Sequence, residues 1–233
     1  MLAADAHSTK GGRHERGKAE RRRRIKESTC ALLREVGIDE LSMKAVADGA
    51  GLSLSTIYNL FPSKQSVLTE IFDEDLAQFE ARVAGVSSID PLARIFDAVD
   101  VAKDLYRKEP NFYRAIMWRQ PTRSVELNRA LIEPRSRFWR LLVEEAIRKG
   151  FLRRSTDSLV ISALMGQNLG GTIQQWILGE ISLDRLEVET KLGFAIVFAA
   201  FATPASKARL RRMIVDLCQQ SRTLITEAKV VSL

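Results

Sequence analysis

Cysteine is scarce. The 233 residues contain two, Cys30 and Cys218, far apart in the chain. They supply neither a disulfide framework nor a Cys-x-x-Cys metal or redox pair, and a reducing cytoplasm is the simplest setting. Histidine is equally rare. His7 and His14 both lie in the polar N-terminal stretch. The folded part therefore offers no imidazole base, no Ser–His pair and no histidine metal site. Carboxylates are not paired in a cleft pattern, and Gly166 to Gly171 lacks the Lys-Ser/Thr ending of a phosphate loop. No catalytic residue, metal or cofactor is expected, which leaves a small all-α enzyme without support. Long apolar runs are missing too. The longest, roughly Leu192 to Ala202, is too short to cross a bilayer, and the first residues lack the apolar core of a secretory signal. A soluble cytoplasmic protein with no membrane partner is expected.

What the chain does have is a globular composition and a basic balance. Hydrophobic residues make up 45% and charged residues 28%, with a net charge of +7. The length suits one ordinary domain or two small ones. The surplus of positive charge favours a polyanionic partner without specifying a fold. Most of it lies early: Lys10, Arg13, Arg16, Lys18 and Arg21 to Arg24 face only Asp5, Glu15 and Glu20. Residues 1–20 are expected to be a flexible basic arm.

From Arg21 onward the apolar pattern is helical. Ile25, Thr29, Leu32 and Val36 step by three and four, and Gly37 ends the stripe. Ser42 caps a short second helix to Gly49, Gly51 supplies a turn, and Ser53 caps a third, Leu54 to Leu60, stopped by Pro62. A fourth follows Ser63, with Leu68, Ile71 or Phe72, Leu76, Phe79 and Val83 as its stripe. Further helices are expected at Pro91–Arg107, Asn111–Arg119, Ser124–Lys149 with a bend at Pro134, Thr156–Gly179, Leu183–Ala202 and Ala205 to about Lys229. No alternating strand pattern competes, so the class is all-α.

Two short helices joined at a glycine form a helix-turn-helix. Ala47 lets the third helix cross the second closely, and Val46, Leu52 and Ile57 peg them together. Leu54, Ser55, Thr56, Tyr58 and Asn59 are left for the outer surface of the third helix, as short or planar groups suited to a major groove. Lys64 at the start of the fourth helix, and Ser42 with Lys44 at the start of the second, combine helix N-termini with positive charge and suit phosphates.

This segment resembles the TetR family of bacterial transcriptional regulators. The family pattern is matched by Ser42, Val46, Ala47, Ala50, Gly51, Leu52, Ser53, Thr56, Ile57, Tyr58, Phe61, Lys64 and Leu68. Ser55 stands where a glycine is usual, and Leu60 where an aromatic is usual. The motif covers about a fifth of the chain. The resemblance implies a homodimer whose third helices enter successive major grooves of a palindromic double-stranded DNA operator, roughly 34 Å apart. It implies phosphate contacts for Thr56, Tyr58 and Lys64, a base contact for Asn59, and base-edge or thymine-methyl contacts for Leu54 and Ser55. Arg21 to Arg24 either follow the DNA backbone, enter the minor groove, or remain solvated.

Residues 21–68 are then the DNA-binding domain and 69–233 an effector-binding and dimerisation domain. Leu159 to Ile177 and Leu192 to Ala202 are apolar on more than one face, as expected of helices sandwiched between their own domain and a partner copy. Phe96, Phe112, Met117, Trp118, Phe138, Trp139 and Met165 are candidates to line an apolar effector cavity, with Asn168, Gln167 or Gln174 as polar fixings. Residues 105–154 carry thirteen basic side chains against five acidic. That surplus motivates a hydrophobic anion as effector, a fatty acyl thioester or an aromatic acid, although a solvated helix face explains the same count. The expectation is a repressor released by a small hydrophobic effector through a population shift. The alternative is a DNA-bound adaptor that responds to a protein partner.

Overall fold

The computed structural model describes residues 6–86, 90–117 and 125–231. Among them are ten helices and no strand: α1 (Ala6–Glu35), α2 (Met43–Ala50), α3 (Leu54–Leu60), α4 (Lys64–Gly85), α5 (Pro91–Lys108), α6 (Pro110–Met117), α7 (Val125–Arg148), α8 (Ser158–Ile177), α9 (Leu183–Phe201) and α10 (Pro204–Val231). The chain divides into two units. One holds the residues up to Glu74 with Asn111–Ile116, and the other holds Asp75–Pro110 with the residues from Met117 onward.

In the first unit, α1 begins well ahead of Arg21. Residues 6–20, expected as a flexible arm, continue the helix upstream. No apolar periodicity announces this stretch, because from His14 to Glu20 every residue is exposed except half-buried Gly17. Alanine, arginine, lysine and glutamate are good helix formers without any buried face. Burial starts with Ile25, Thr29 and Leu33, whereas Val36 is 42% exposed. The stripe therefore rotates toward Leu33 rather than ending on Val36. Thr29, buried mid-helix, donates its hydroxyl to the carbonyl of Ile25 at 2.8 Å.

Local chemistry then sets the helix-turn-helix. Ser42 caps α2 by accepting from the Ala45 amide, and Ser53 caps α3 by accepting from the Thr56 amide. Gly51 adopts φ 61°, and its amide donates back to the Ala47 and Asp48 carbonyls to close α2. Val46, Ala47, Ala50, Ile57, Phe61, Val67, Leu68, Ile71 and Phe72 are buried.

The second unit is a bundle of α5, α7, α8, α9 and α10 around an aromatic core. Asp90, Asp157 and Ser182 cap α5, α8 and α9. Pro134 sits inside α7 without ending it. Phe79 meets Phe138 edge-on at 5.0 Å, Trp139 meets Phe194 at 5.5 Å, and Tyr106 stacks on Trp176 at 5.5 Å. Helices α8 and α9 are held close by a buried hydroxyl pair, Thr172 and Thr190, at 2.8 Å. Gly193 faces Asn168, whose amide would lie about 2.5 Å from any Cβ placed there, so a larger residue at that point would have to displace the Asn168 side chain.

Candidate nucleic-acid interface

Helix α3 is too short to persist alone, so its orientation follows from what it buries. Ile57 is fully buried and fixes the inner face. The opposite side then turns outward: Leu54 is 41% exposed and Tyr58 49%, with Ser55 and Asn59 also exposed and Thr56 half-buried. The structure brings these five residues into one outward surface. Thr56 is less free than its neighbours, since its hydroxyl shares a hydrogen bond with Ser53 at 2.7 Å. Ser42 and Lys44 are both exposed at the start of α2.

Lys64 is placed differently. Its ammonium donates to the carbonyls of Ile38 and Leu41 at 2.9 and 3.0 Å, tying α4 to the loop after α1. Burial lowers its pKa below the usual lysine value, and nearby Asp39 partly opposes this. Two of its three N–H donors are thus occupied inside the unit. Nothing in the sequence shows which carbonyls a lysine at position 64 will meet.

Three of the four arginines of the run are likewise engaged by partners within the unit. Arg22 donates to the Leu60 carbonyl at 2.9 Å, pairs with Glu70 and lies 4.1 Å over the Phe61 ring. Arg24 donates to the Ala50 and Gly51 carbonyls, at the turn between α2 and α3. Arg23 pairs with Glu20 and Glu27. Lys26 pairs with Glu70 at 3.1 Å and also with Glu74. Arg22 and Arg24 pin α1 to the helix-turn-helix and Lys26 ties it to α4, roles that a run of like charges does not reveal.

The candidate effector residues separate. Phe96, Phe138, Trp139 and Met165 belong to one buried cluster with Phe194 and Phe198. Met117 is half-buried, and its carbonyl accepts from Gln174 Nε2 at 2.9 Å. Asn168 packs against Gly193, and its buried Oδ1 has no hydrogen-bond partner among the described residues. Phe112 groups with the first unit instead, edge-on to Tyr113 with the Arg34 guanidinium 5.8 Å from its ring. Trp118 lies outside the described residues.

Clefts along α10 are mostly charged. One of about 540 Å³ is bordered by Asp97, Asp100, Glu187, Lys191, Arg209 and Asp216. Behind it, Lys103 and Lys191 both bind Glu187, while Lys103 also reaches Asp184 at 2.6 Å and Lys191 reaches Asp100. Burial opposes ionisation of Glu187, but hydrogen bonds from the two lysines hold its carboxyl down to about 2. Burial raises the pKa of Asp100 despite Lys191. Among the described residues no three metal-ligating side chains cluster, and no helix is long and apolar enough to cross a membrane.

A second surface is apolar. Leu159, Val160 and Leu164 on α8 and Ile196 on α9 are 43–62% exposed. Large apolar side chains left open on neighbouring helices are candidates for an interaction surface.

Comparison with known proteins bears on the first unit most directly. Residues 25–71 match the family model described as bacterial regulatory proteins, tetR family. A 78-residue segment, 33% of the chain, is 32% identical to the HTH-type transcriptional repressor KstR of Mycobacterium tuberculosis. The match spans 36% of that protein, so the chain covers about a third of the length of this curated relative. Among solved structures, the regulator FadR from Bacillus subtilis in complex with stearoyl-CoA superposes with a TM-score of 0.64. That likeness has 16% identity and covers 76% of this chain and 98% of the other. FadR of Thermus thermophilus, a TetR family transcriptional repressor in complex with lauroyl-CoA, gives a TM-score of 0.64 at 17% identity, over 78% of this chain and 95% of that one. At such identities these structures show a shared fold.

Proposed function

Given that the chain belongs to the TetR family of bacterial regulatory proteins, we propose that it is a cytoplasmic repressor that binds a palindromic operator as a homodimer and is released by a small hydrophobic effector. The observation that carries DNA binding is the outward row Leu54, Ser55, Thr56, Tyr58 and Asn59 on a capped α3 whose Ile57 is fully buried. Asn59 reads a base edge, Leu54 and Ser55 sit against base edges or thymine methyls, and Tyr58 and Thr56 hold phosphates. The N-terminus of α2, with Ser42 and Lys44, adds a phosphate contact on the other flank.

Dimerisation is supported by the open apolar surface of α8 and α9. A two-fold axis through it would bury Leu159, Val160, Leu164 and Ile196 against their own copies. The effector reading rests on the solved relatives that carry acyl-CoA and on the basic excess of residues 105–154. Phe96, Phe138, Trp139, Met165 and Asn168 would border the effector once the core opens around it. The second reading, an adaptor sensing a protein, is favoured by the edge-to-face packing of Phe79, Phe138, Trp139 and Phe194 within one interior.

The test is selection of operator from a random duplex library, followed by titration with acyl-CoA of graded chain length. Enrichment of an inverted repeat and its release by acyl-CoA is the expected result. Failure to enrich any repeat overturns the DNA reading. Operator binding that no acyl-CoA shifts overturns this effector class and turns the search to protein partners.

A further inference from the structure

The first helix extends past the domain it serves, and its upstream part is basic. His14, Gly17, Arg21, Arg24 and Ser28 follow one another at steps of three and four along α1. The downstream end of this row is anchored. Ser28 donates to the Val46 carbonyl of α2 at 3.1 Å, and Arg24 donates to Ala50 and Gly51 at the turn that leads into α3. Going upstream along α1 therefore means going toward that turn and then beyond it. His14 lies about 15 Å of helix beyond Arg24 at ~1.5 Å per residue. The turn adjoins the N-terminal end of α3, the end of a recognition helix that contacts base edges. The protruding part of α1 thus leaves the domain beside the end of α3 that faces the duplex.

Its charge matches that surface. Arg16 and Lys18 are exposed on either side of the row, and Arg21 is half-buried within it. The acidic residues offset only part of this charge: Glu20 pairs with Arg23, and Glu15 is one carboxylate against Arg16, Lys18 and Arg21. In sequence, Lys10 and Arg13 precede them. Width decides the mode of contact. An α-helix with its side chains is roughly 10–12 Å across, while the minor groove is about 6 Å wide. A helical extension cannot enter that groove as an extended arginine arm does, so it lies along the phosphates.

We propose that the upstream part of α1 is a second DNA-contacting element, a rigid basic helix that holds the sugar–phosphate backbone beside each half-site and adds affinity without reading sequence. It rests on the DNA-binding reading above, and the experiment separates the two. Binding to a mixed-sequence 36-base-pair duplex is followed by fluorescence anisotropy across a KCl series for the wild type, for Arg16→Gln/Lys18→Gln/Arg21→Gln, and for Gly17→Pro. Each phosphate contact contributes about 0.9 to the slope of log K against log salt. The triple variant is expected to lower that slope by at least about one per protomer and to weaken binding at least tenfold at low salt. Gly17→Pro keeps the charge but interrupts the helix, and is expected to weaken binding at least threefold. Each of these positions precedes Ile25, the first fully buried residue, so the urea midpoints should match the wild type. An unchanged slope in the triple variant overturns the proposal. Wild-type binding by Gly17→Pro overturns the rigid-helix assignment, since charge alone would then suffice. No duplex binding by the wild type would instead overturn the DNA reading.

Discussion

Replacing Lys64 by alanine separates a structural lysine from a phosphate contact. Its ammonium sits 2.9 and 3.0 Å from the carbonyls of Ile38 and Leu41, closing the loop between α1 and α2 onto the start of α4. A hydrogen bond to a charged group contributes about 1.5–3 kcal/mol. Two such bonds at a half-buried position, where water replaces part of the loss, leave a net cost of about 2 kcal/mol in the first unit. With a urea dependence of about 2 kcal/mol per molar, the unfolding midpoint of that unit should fall by roughly 1 M. Lys64→Met keeps the aliphatic stem and removes the donor, so it should recover little of the loss. Hydrogen exchange of the amides at 38–42 should accelerate in both variants. On DNA, with a single ammonium donor left over, the salt slope should drop by less than the full ~0.9 of a committed phosphate contact. A Lys64→Ala protein with an unchanged urea midpoint and a slope reduced by the full amount would refute this reasoning, because the ammonium would then serve the duplex and not the loop.

Asn59→Ala should relax sequence preference at one position of each half-site by roughly 1–3 kcal/mol, read by competition among single-base operator variants. Tyr58→Phe should weaken all sequences alike in the same competition. Leu164→Glu combined with Ile196→Glu puts charge on the open α8–α9 surface and should convert the proposed dimer to monomer in sedimentation velocity; a persisting dimer would move the interface elsewhere. Glu187→Gln removes the carboxylate shared by Lys103 and Lys191. The folded carboxyl titrates near 2, below an ordinary glutamate, so its stabilisation is present above about pH 4.5 and is lost as pH falls toward 2. Asp100 beside it is shifted upward and opposes this, and solvent screens the site, so about 1 kcal/mol should be lost at pH 7. Thermal unfolding at pH 7 and pH 3 should show that difference shrinking on the acid side.

Much of the architecture was legible in the chain because its cues are local. A serine before a short apolar run, a glycine at a tight turn and a proline after a helix act through backbone geometry within a few residues. Ser42, Gly51 and Ser53 therefore take the roles their neighbours dictate. The inner face of α3 was also local, since Ile57 is the apolar residue at its centre, flanked by Thr56 and Tyr58, while Leu54 and Leu60 stand at its ends. The rest required three dimensions. Val36 satisfies the periodicity of α1 yet lies open, because burial depends on where the neighbouring helices end. Phe112 counts as one more aromatic in the effector stretch, yet it groups with the first unit.

The one-dimensional pattern by itself determined the helical class, the helix-turn-helix and its outward row, since propensity, capping and periodicity are properties of neighbours in the chain. Only the tertiary structure decided where charged groups go. A cation's partner is whichever carbonyl or carboxylate the fold brings within about 3 Å. That is why Lys64, Arg22 and Arg24, which read as groups for a nucleic acid, are found holding α1, α2, α3 and α4 together.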